Sequence, residues 1–190
     1  VAFAVYSNRA SHQRRASPVD RMDVSIVVLA VDWRARKAIQ EAFARIARQT
    51  DTATKSGLAA MLREAAGSVL QSQLSWLYAG ASDYDGRLSP GEAESIFRRA
   101  TTLARTRFKA DVIRNLRGAK SESPAPDKRA RPEEGAGVVV VTFAVAARKQ
   151  LPDVRAVTDA FCLQAALESF TRLSPSELAA VEVIWSPAVE

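Results

Sequence analysis

The chain has 190 residues, 47% of them hydrophobic and 25% charged, which is the material of one globular domain with a tail and too little for two packed cores. Its 27 Lys and Arg against 21 Asp and Glu give a net charge of +6, which admits nucleic acid, anionic lipid or an acidic protein face as partners. A single Cys, Cys162, excludes an internal disulfide, and a single His, His12, excludes a zinc site built from several His or Cys ligands.

The chain opens at Val1 rather than Met, so a start downstream of the gene's own is expected. Val1 to Tyr6 are apolar with an aromatic end, and Arg9, Arg14, Arg15 and Arg21 follow, the way a membrane-spanning helix ends on its positive-inside face. Six residues are too few to cross a bilayer, which takes roughly 20. Residues 1–23 are therefore expected to be the end of a membrane anchor with a basic juxtamembrane segment, the alternative being a frayed terminus.

The domain itself is expected over residues 24–190. Val24 to Val31 (VSIVVLAV) is short, β-branched and apolar on both faces, which predicts a strand. Ala38, Ile39, Ala42, Phe43 and Ile46 recur at helical spacing between Ala35 and Gln49, with Arg and Lys on the other side. A second helix is predicted from about Lys55, carrying Leu58, Met61, Leu62, Ala65, Val69 and Leu70 on one face; Thr50, Asp51 and Thr52 supply a turn and cap before it. Leu74 to Ala79 then predicts a short strand with Trp76 and Tyr78 on the same side. Ser89, Pro90 and Glu92 form a capping box that starts a long helix, with an apolar stripe from Ile96 through Phe108 and Val112 to Leu116 and a stop at Gly118.

Residues 118–137 are rich in Pro and charge and lack large apolar side chains, so a flexible linker is expected there. Val138 to Val145 (VVVVTFAV) is the strongest strand signal and should lie centrally. Val154 to Leu173 predicts a helix with Val157, Phe161, Leu167 and Phe170 inward. Ser174, Pro175 and Glu177 repeat the capping arrangement before a closing strand, Val181 to Trp185. The order β-α-α-β-α-β-α-β predicts a single α/β (α+β) domain with a small mixed sheet of about four strands packed by helices.

Few residues offer chemistry. Asp83, Asp85, Gly86, Leu88 and Glu92 match positions of an EF-hand calcium loop, but Ala81 stands where its first ligand belongs and Glu92 is claimed by the capping box. An acidic turn before a capped helix is the favoured reading, and no metal is expected. His12 lies in the irregular basic N-terminus, so a Ser-His-Asp triad has no base. Cys162 sits in an amphipathic helix without a His or basic neighbour and reads as a small hydrophobe. No spaced Gly run for a phosphate is present, so no cofactor and no catalytic residue is expected.

The charge is unevenly placed. Eleven basic residues against three acidic ones between Arg98 and Arg131 give +8, residues 1–21 give +3, and the remainder carries −5. Arg9, Arg14, Arg15, Arg21, Arg114, Arg117, Lys120, Lys128, Arg129 and Arg131 are therefore the candidates for contact with a partner or an anionic membrane surface, a solvated face being the plain alternative. With Phe108 alone among the basic residues and no recognised module, nucleic acid is not an expected partner.

Four segments together resemble a known family: VSIVVLAV from Val24, TDTATKSGLAAMLREAAGSVL from Thr50 running on to Trp76 and Tyr78, VVVVTFAVAARKQLP from Val138, and LAAVEVIWSPA from Leu178. In this order they look like domain-of-unknown-function family 1517 of cyanobacteria and chloroplasts, and the resemblance covers most of residues 24–188. It implies a thylakoid protein with one N-terminal transmembrane anchor and a stroma-facing domain, with no catalytic residues to carry over. The implied function is a non-enzymatic auxiliary factor docking on a photosynthetic complex, foremost photosystem II in assembly or repair, beside the anionic thylakoid lipid surface. A structural, import or organising component of a plastid membrane assembly is the alternative, ahead of an unrecognised enzyme or a calcium-binding protein. Homo-oligomerisation is left open.

Overall fold

The computed structural model describes residues 21–107, 111–116, 119–122, 138–154 and 159–186. In chain order these residues form β1 (Met22–Val31), α1 (Trp33–Gln49), α2 (Lys55–Leu70), a 3₁₀ turn (Gln73–Ser75), β2 (Trp76–Leu88), α3 (Pro90–Arg107), β3 (Asp111–Leu116), β4 (Ala119–Glu122), β5 (Val139–Ala147), α4 (Ala160–Thr171) and β6 (Leu178–Ser186). The single α/β domain with four helices agrees with the sequence. Its sheet runs in the order β2-β1-β5-β6-β3-β4. Four long strands make the body and the β3–β4 hairpin extends it past β6.

The expected mixed sheet is antiparallel at each pairing. The connections explain why. The Asp32 N–H donates to the Ser75 carbonyl at 2.8 Å, so the α1–α2 pair leaves and re-enters the sheet at the same end and β2 must run back along β1. Likewise the Arg148 N–H donates to the Glu177 carbonyl at 2.7 Å and ties the end of β5 to the start of β6. Continuous apolar character in β1 and β5 reflects helices on both faces rather than a parallel arrangement.

Alternation along the strands divides the interior in two. Val27, Leu29 and Val31 of β1, Val141, Phe143 and Val145 of β5, and Val181, Val183 and Trp185 of β6 face the layer of α1, α2 and α4. Phe43 of α1 meets Trp185 edge to face with ring centroids 5.2 Å apart, and Phe143 lies against Phe170 of α4 at 6.3 Å. On the opposite face α3 sets Ala93 and Phe97 over Val24, Ile26, Ala144, Ala146 and Ala180. β5 is central, as its composition predicts.

Three local expectations are corrected. The long helix to Gly118 ends at Arg107, and Asp111–Leu116 forms β3, with Val112 opposite Ile184 and Ile113 opposite Val183. The apolar stripe there is also β-branched, and β6 would otherwise leave its outer backbone groups without a ladder. Ala119–Glu122, expected as linker, pairs with β3 as β4; residues 123–137 lie outside the described residues. The last helix begins at Ala160 rather than Val154, capped by Asp159, whose carboxylate accepts from the Cys162 N–H at 2.8 Å. Its buried stripe is Leu163, Ala166, Leu167 and Phe170, so Phe161, two residues out of phase, is exposed; Val157 lies outside the described residues.

A register irregularity between Ala30 and Val31 alters β2. Trp76 pairs with Val31 and Tyr78 with Ala30, so the two rings take opposite faces instead of one. Trp76 packs on the larger core and donates its Nε1–H to the Val69 carbonyl at 3.2 Å, while Tyr78 stands in solvent.

Candidate docking surface

The acidic motif before α3 is part of the framework. Asp83 pairs with Ser25 in the β1–β2 ladder, so the chain there is a strand and not a calcium loop. Glu92 closes a reciprocal cap: its carboxylate accepts from the Ser89 N–H at 2.9 Å and the Ser89 hydroxyl at 2.6 Å, and the Glu92 N–H donates back to Ser89 Oγ at 3.4 Å. These bonds, the hydroxyl's first, hold the Glu92 carboxyl below its ordinary range. The second box repeats the geometry, with Glu177 accepting from the Ser174 N–H and hydroxyl at 2.9 Å each and lying 3.3 Å from Lys149. The Ser174 backbone bond is the main cause of the lowered Glu177 carboxyl. Among the described residues no three His, Cys, Asp or Glu side chains come together as a metal site, and Cys162 is half-buried in the first turn of α4.

The buried charge lies elsewhere. Glu182 of β6 is fully buried on the α3 face of the sheet, where Arg105 meets it with both arms of its guanidinium: Nε donates to Oε1 at 2.7 Å and Nη2 to Oε2. Such a fork satisfies both carboxylate oxygens and locks the far end of α3 to the sheet. A lone Glu in the apolar run VEVIW was the available signal, since a carboxylate at mid-strand needs a partner. On β1 the Asp23 carboxylate, also buried, accepts from the Leu151 N–H at 2.7 Å.

The sequence-predicted basic surface is thus dismantled in part. Arg105 is spent on Glu182, and Arg98 sits 2.5 Å from Glu94 on the same helix. Arg114, expected on the long helix, and Lys120, expected in the linker, belong to the β3–β4 hairpin at one end of the sheet. Arg21 is exposed beside β1. Arg9, Arg14, Arg15, Arg117, Lys128, Arg129 and Arg131, with His12, lie outside the described residues.

What the charge count overlooked is α1. It holds five basic residues, Arg34, Arg36, Lys37, Arg45 and Arg48, against one acidic, Glu41, a net +4 hidden inside the segment that averaged to −5. Arg34, Lys37, Glu41, Arg45 and Arg48 recur at intervals of three and four, so they form one exposed stripe roughly 20 Å long. Lys37 reaches Glu41 at 3.9 Å and Arg34 reaches Asp32 at 3.8 Å. Arg45 and Arg48 have no carboxylate partner among the described residues, and Arg48 also meets the negative end of the helix dipole. The opposite side of α1, with Ala35, Ile39, Phe43 and Ile46, is held in the core, so the stripe is fixed in place by packing. No helix among the described residues is long and apolar enough to cross a membrane.

Comparison with known proteins bears on residues 21–190, which match the family described as "Protein of unknown function (DUF1517)". The chain is 26% identical over 159 residues to Protein FLAP1 homolog A of Synechocystis sp., covering 81% of this chain and 47% of that protein. It is 27% identical over 154 residues to the chloroplastic FLUCTUATING-LIGHT-ACCLIMATION protein 1 of Arabidopsis thaliana, covering 81% of this chain and 38% of that protein. The chain therefore spans less than half the length of these curated relatives. No solved structure matches it.

Proposed function

The chain belongs to the DUF1517 family, and from that membership we propose that it is a non-enzymatic auxiliary factor of the photosynthetic membrane. In this reading it docks on a photosynthetic complex and serves acclimation to changing light. Two relatives from oxygenic phototrophs, one named for acclimation to fluctuating light and chloroplastic, support the setting. The observation that carries the docking role is the α1 stripe: a rigid row of cations whose last two members, Arg45 and Arg48, are not internally compensated. Basic residues close to an anionic membrane contribute about 1 kcal/mol each, and an acidic face of a membrane complex offers the same complementarity. The buried Arg105–Glu182 fork and the two carboxylate caps suit a scaffold, because their charges are engaged in holding elements of the fold together. The finer proposal is that the complex is photosystem II during assembly or repair, with the domain on the stromal side of an anchored protein.

The test is affinity purification from gently solubilised thylakoids, comparing the wild-type protein with Arg45→Glu/Arg48→Glu. Photosystem II subunits are expected with the wild type and depleted with the reversal. Recovery of a different photosynthetic complex would remove the photosystem II assignment, and recovery of none would remove the docking role.

A further inference from the structure

Five large apolar side chains stand exposed among the described residues, and four of them, Leu74, Leu77, Tyr78 and Phe161, gather at one edge of the sheet. That edge is β2, which pairs with β1 on one side only. Phe161 belongs to the first turn of α4, whose Asp159, Ala160 and Leu163 wall a groove against Trp76 and Leu77. On the other face of β2, Tyr78, Gly80 and Ser82 stand beside Val28, Ala30 and Val140 over an open hollow of about 530 Å³.

Natural edge strands are usually blunted by charge, Pro or a cover. Trp76 to Ser82 (WLYAGAS) has no charge and no Pro, and its pairing to β1 is regular from Ser82 to Tyr78. The segment is also complementary to itself. Run antiparallel about Ala79, Tyr78 falls opposite Gly80 of a second copy and Leu77 opposite Ala81, a large residue facing a small one in each pair. Gly80 is where this matters most: a Cβ built there meets nothing within 4 Å, which leaves room for an aromatic ring laid across the strand.

The area suffices. Tyr78 is 79% and Phe161 76% exposed, so at 150–250 Å² for each aromatic the two rings offer roughly 300 Å² per copy. Two copies, with Leu74, Leu77 and the backbone edge added, reach on the order of 1,000 Å², where specific interfaces begin. Like charges do not meet in the paired stretch.

We propose that a second copy of this chain is the occupant: β2 pairs with β2 across a two-fold axis at Ala79, making one continuous sheet with each Tyr78 ring covering the other copy's Gly80. Sedimentation velocity of the whole chain is expected to show a species of twice 20.6 kDa at micromolar concentration. Tyr78→Lys, at a position free of core contacts, should weaken that association at least about tenfold while leaving the melting temperature of the dissociated protein unchanged. In a Cys162→Ser background, Ala79→Cys should form a disulfide dimer under mild oxidant, since facing Cα atoms across an antiparallel ladder lie about 4.5–5.5 Å apart, within the span a disulfide bridges; Leu103→Cys on α3 should not. A monomer at all concentrations overturns the proposal and leaves the edge to an extended segment of another protein. A dimer indifferent to Tyr78→Lys, or one that cross-links equally at residue 103, overturns it by placing the interface elsewhere.

Discussion

Replacing Arg105 by Met keeps most of the apolar stem that lies along α3 and removes only the charge, leaving the Glu182 carboxylate alone in a site with no exposed surface. Breaking a buried pair by removing one partner costs about 3–5 kcal/mol, because the remaining charge has lost its hydrogen bonds and cannot reach water. Arg105 is 24% exposed, so some water can approach the orphaned group and the lower end, about 3 kcal/mol, is the better expectation. At roughly 2–4 °C per kcal/mol for a chain of this size, the melting temperature should fall by about 6–12 °C. The companion variant Arg105→Met/Glu182→Leu removes both charges and should recover most of the loss, since an apolar pair of similar volume is commonly neutral or better. Thermal and urea unfolding of the wild type, both single variants and the double variant closes a thermodynamic cycle whose coupling should exceed about 2 kcal/mol. A loss below about 1 kcal/mol for Arg105→Met would refute the argument, because that is the cost of an exposed ion pair and Glu182 would then have to be in contact with solvent.

Two further perturbations follow from particular contacts. Glu92, Asp159 and Glu177 titrate below ordinary values of 4.5, 3.8 and 4.5, held down chiefly by the Ser89 hydroxyl, the Cys162 N–H and the Ser174 N–H respectively. A depressed folded-state value stabilises the fold above the ordinary value, and that stability is lost as pH falls through the lowered one. Melting temperature should therefore drop between about pH 5 and pH 3, and less steeply in Glu92→Gln/Glu177→Gln; equal slopes would show the two caps contribute nothing. Within α2 two glycines should respond with opposite sign to alanine. At Gly57 the new Cβ would fall 1.7 Å from the Asp51 carbonyl oxygen, so the α1–α2 turn must move and a loss of about 1–3 kcal/mol is expected; at Gly67 nothing lies within 4 Å, and a gain of about 0.5–1 kcal/mol follows from helix propensity alone. Circular dichroism melts of the two variants decide it, and a stable Gly57→Ala protein would refute the close approach.

Much of this architecture was legible in the sequence because burial writes a period into it. The stripes of α1 and α2, the doubly apolar β1 and β5, and both capping boxes are local signals, and each element lies where its pattern put it. The failures share a cause: the deciding partner is distant in sequence. Asp111–Leu116 carries a pattern that a helix or a strand could use, and the open edge of β6, some seventy residues later, decides for the strand. Trp76 and Tyr78 alternate as a strand should, and an irregularity opposite Ala30 and Val31 sends them apart. The surface suffered most. Summing charge over segments hid the +4 of α1 within a negative average and counted Arg105 as part of a basic face, although its charge is buried against Glu182. A charge count locates cations along the chain; only packing says which of them meet solvent.

The two surface features bear on one another through symmetry. Antiparallel pairing of identical edge strands places the two-fold axis perpendicular to the sheet, so corresponding faces of both copies lie on the same side. α1, with its stripe, belongs to the layer that it shares with α2 and α4, and α3 lies alone on the other face. Joining two copies through β2 would therefore present both basic stripes toward one plane and both α3 helices toward the opposite one. Each stripe alone is short and partly compensated by Glu41, which makes for weak attraction to any anionic surface. Two stripes held on a common side turn the second contact into an intramolecular event, and weak attractions of this kind multiply when their spacing is fixed. An uncharged edge strand and a row of arginines on a neighbouring layer would then serve one geometry, in which pairing sets the orientation that the charge needs.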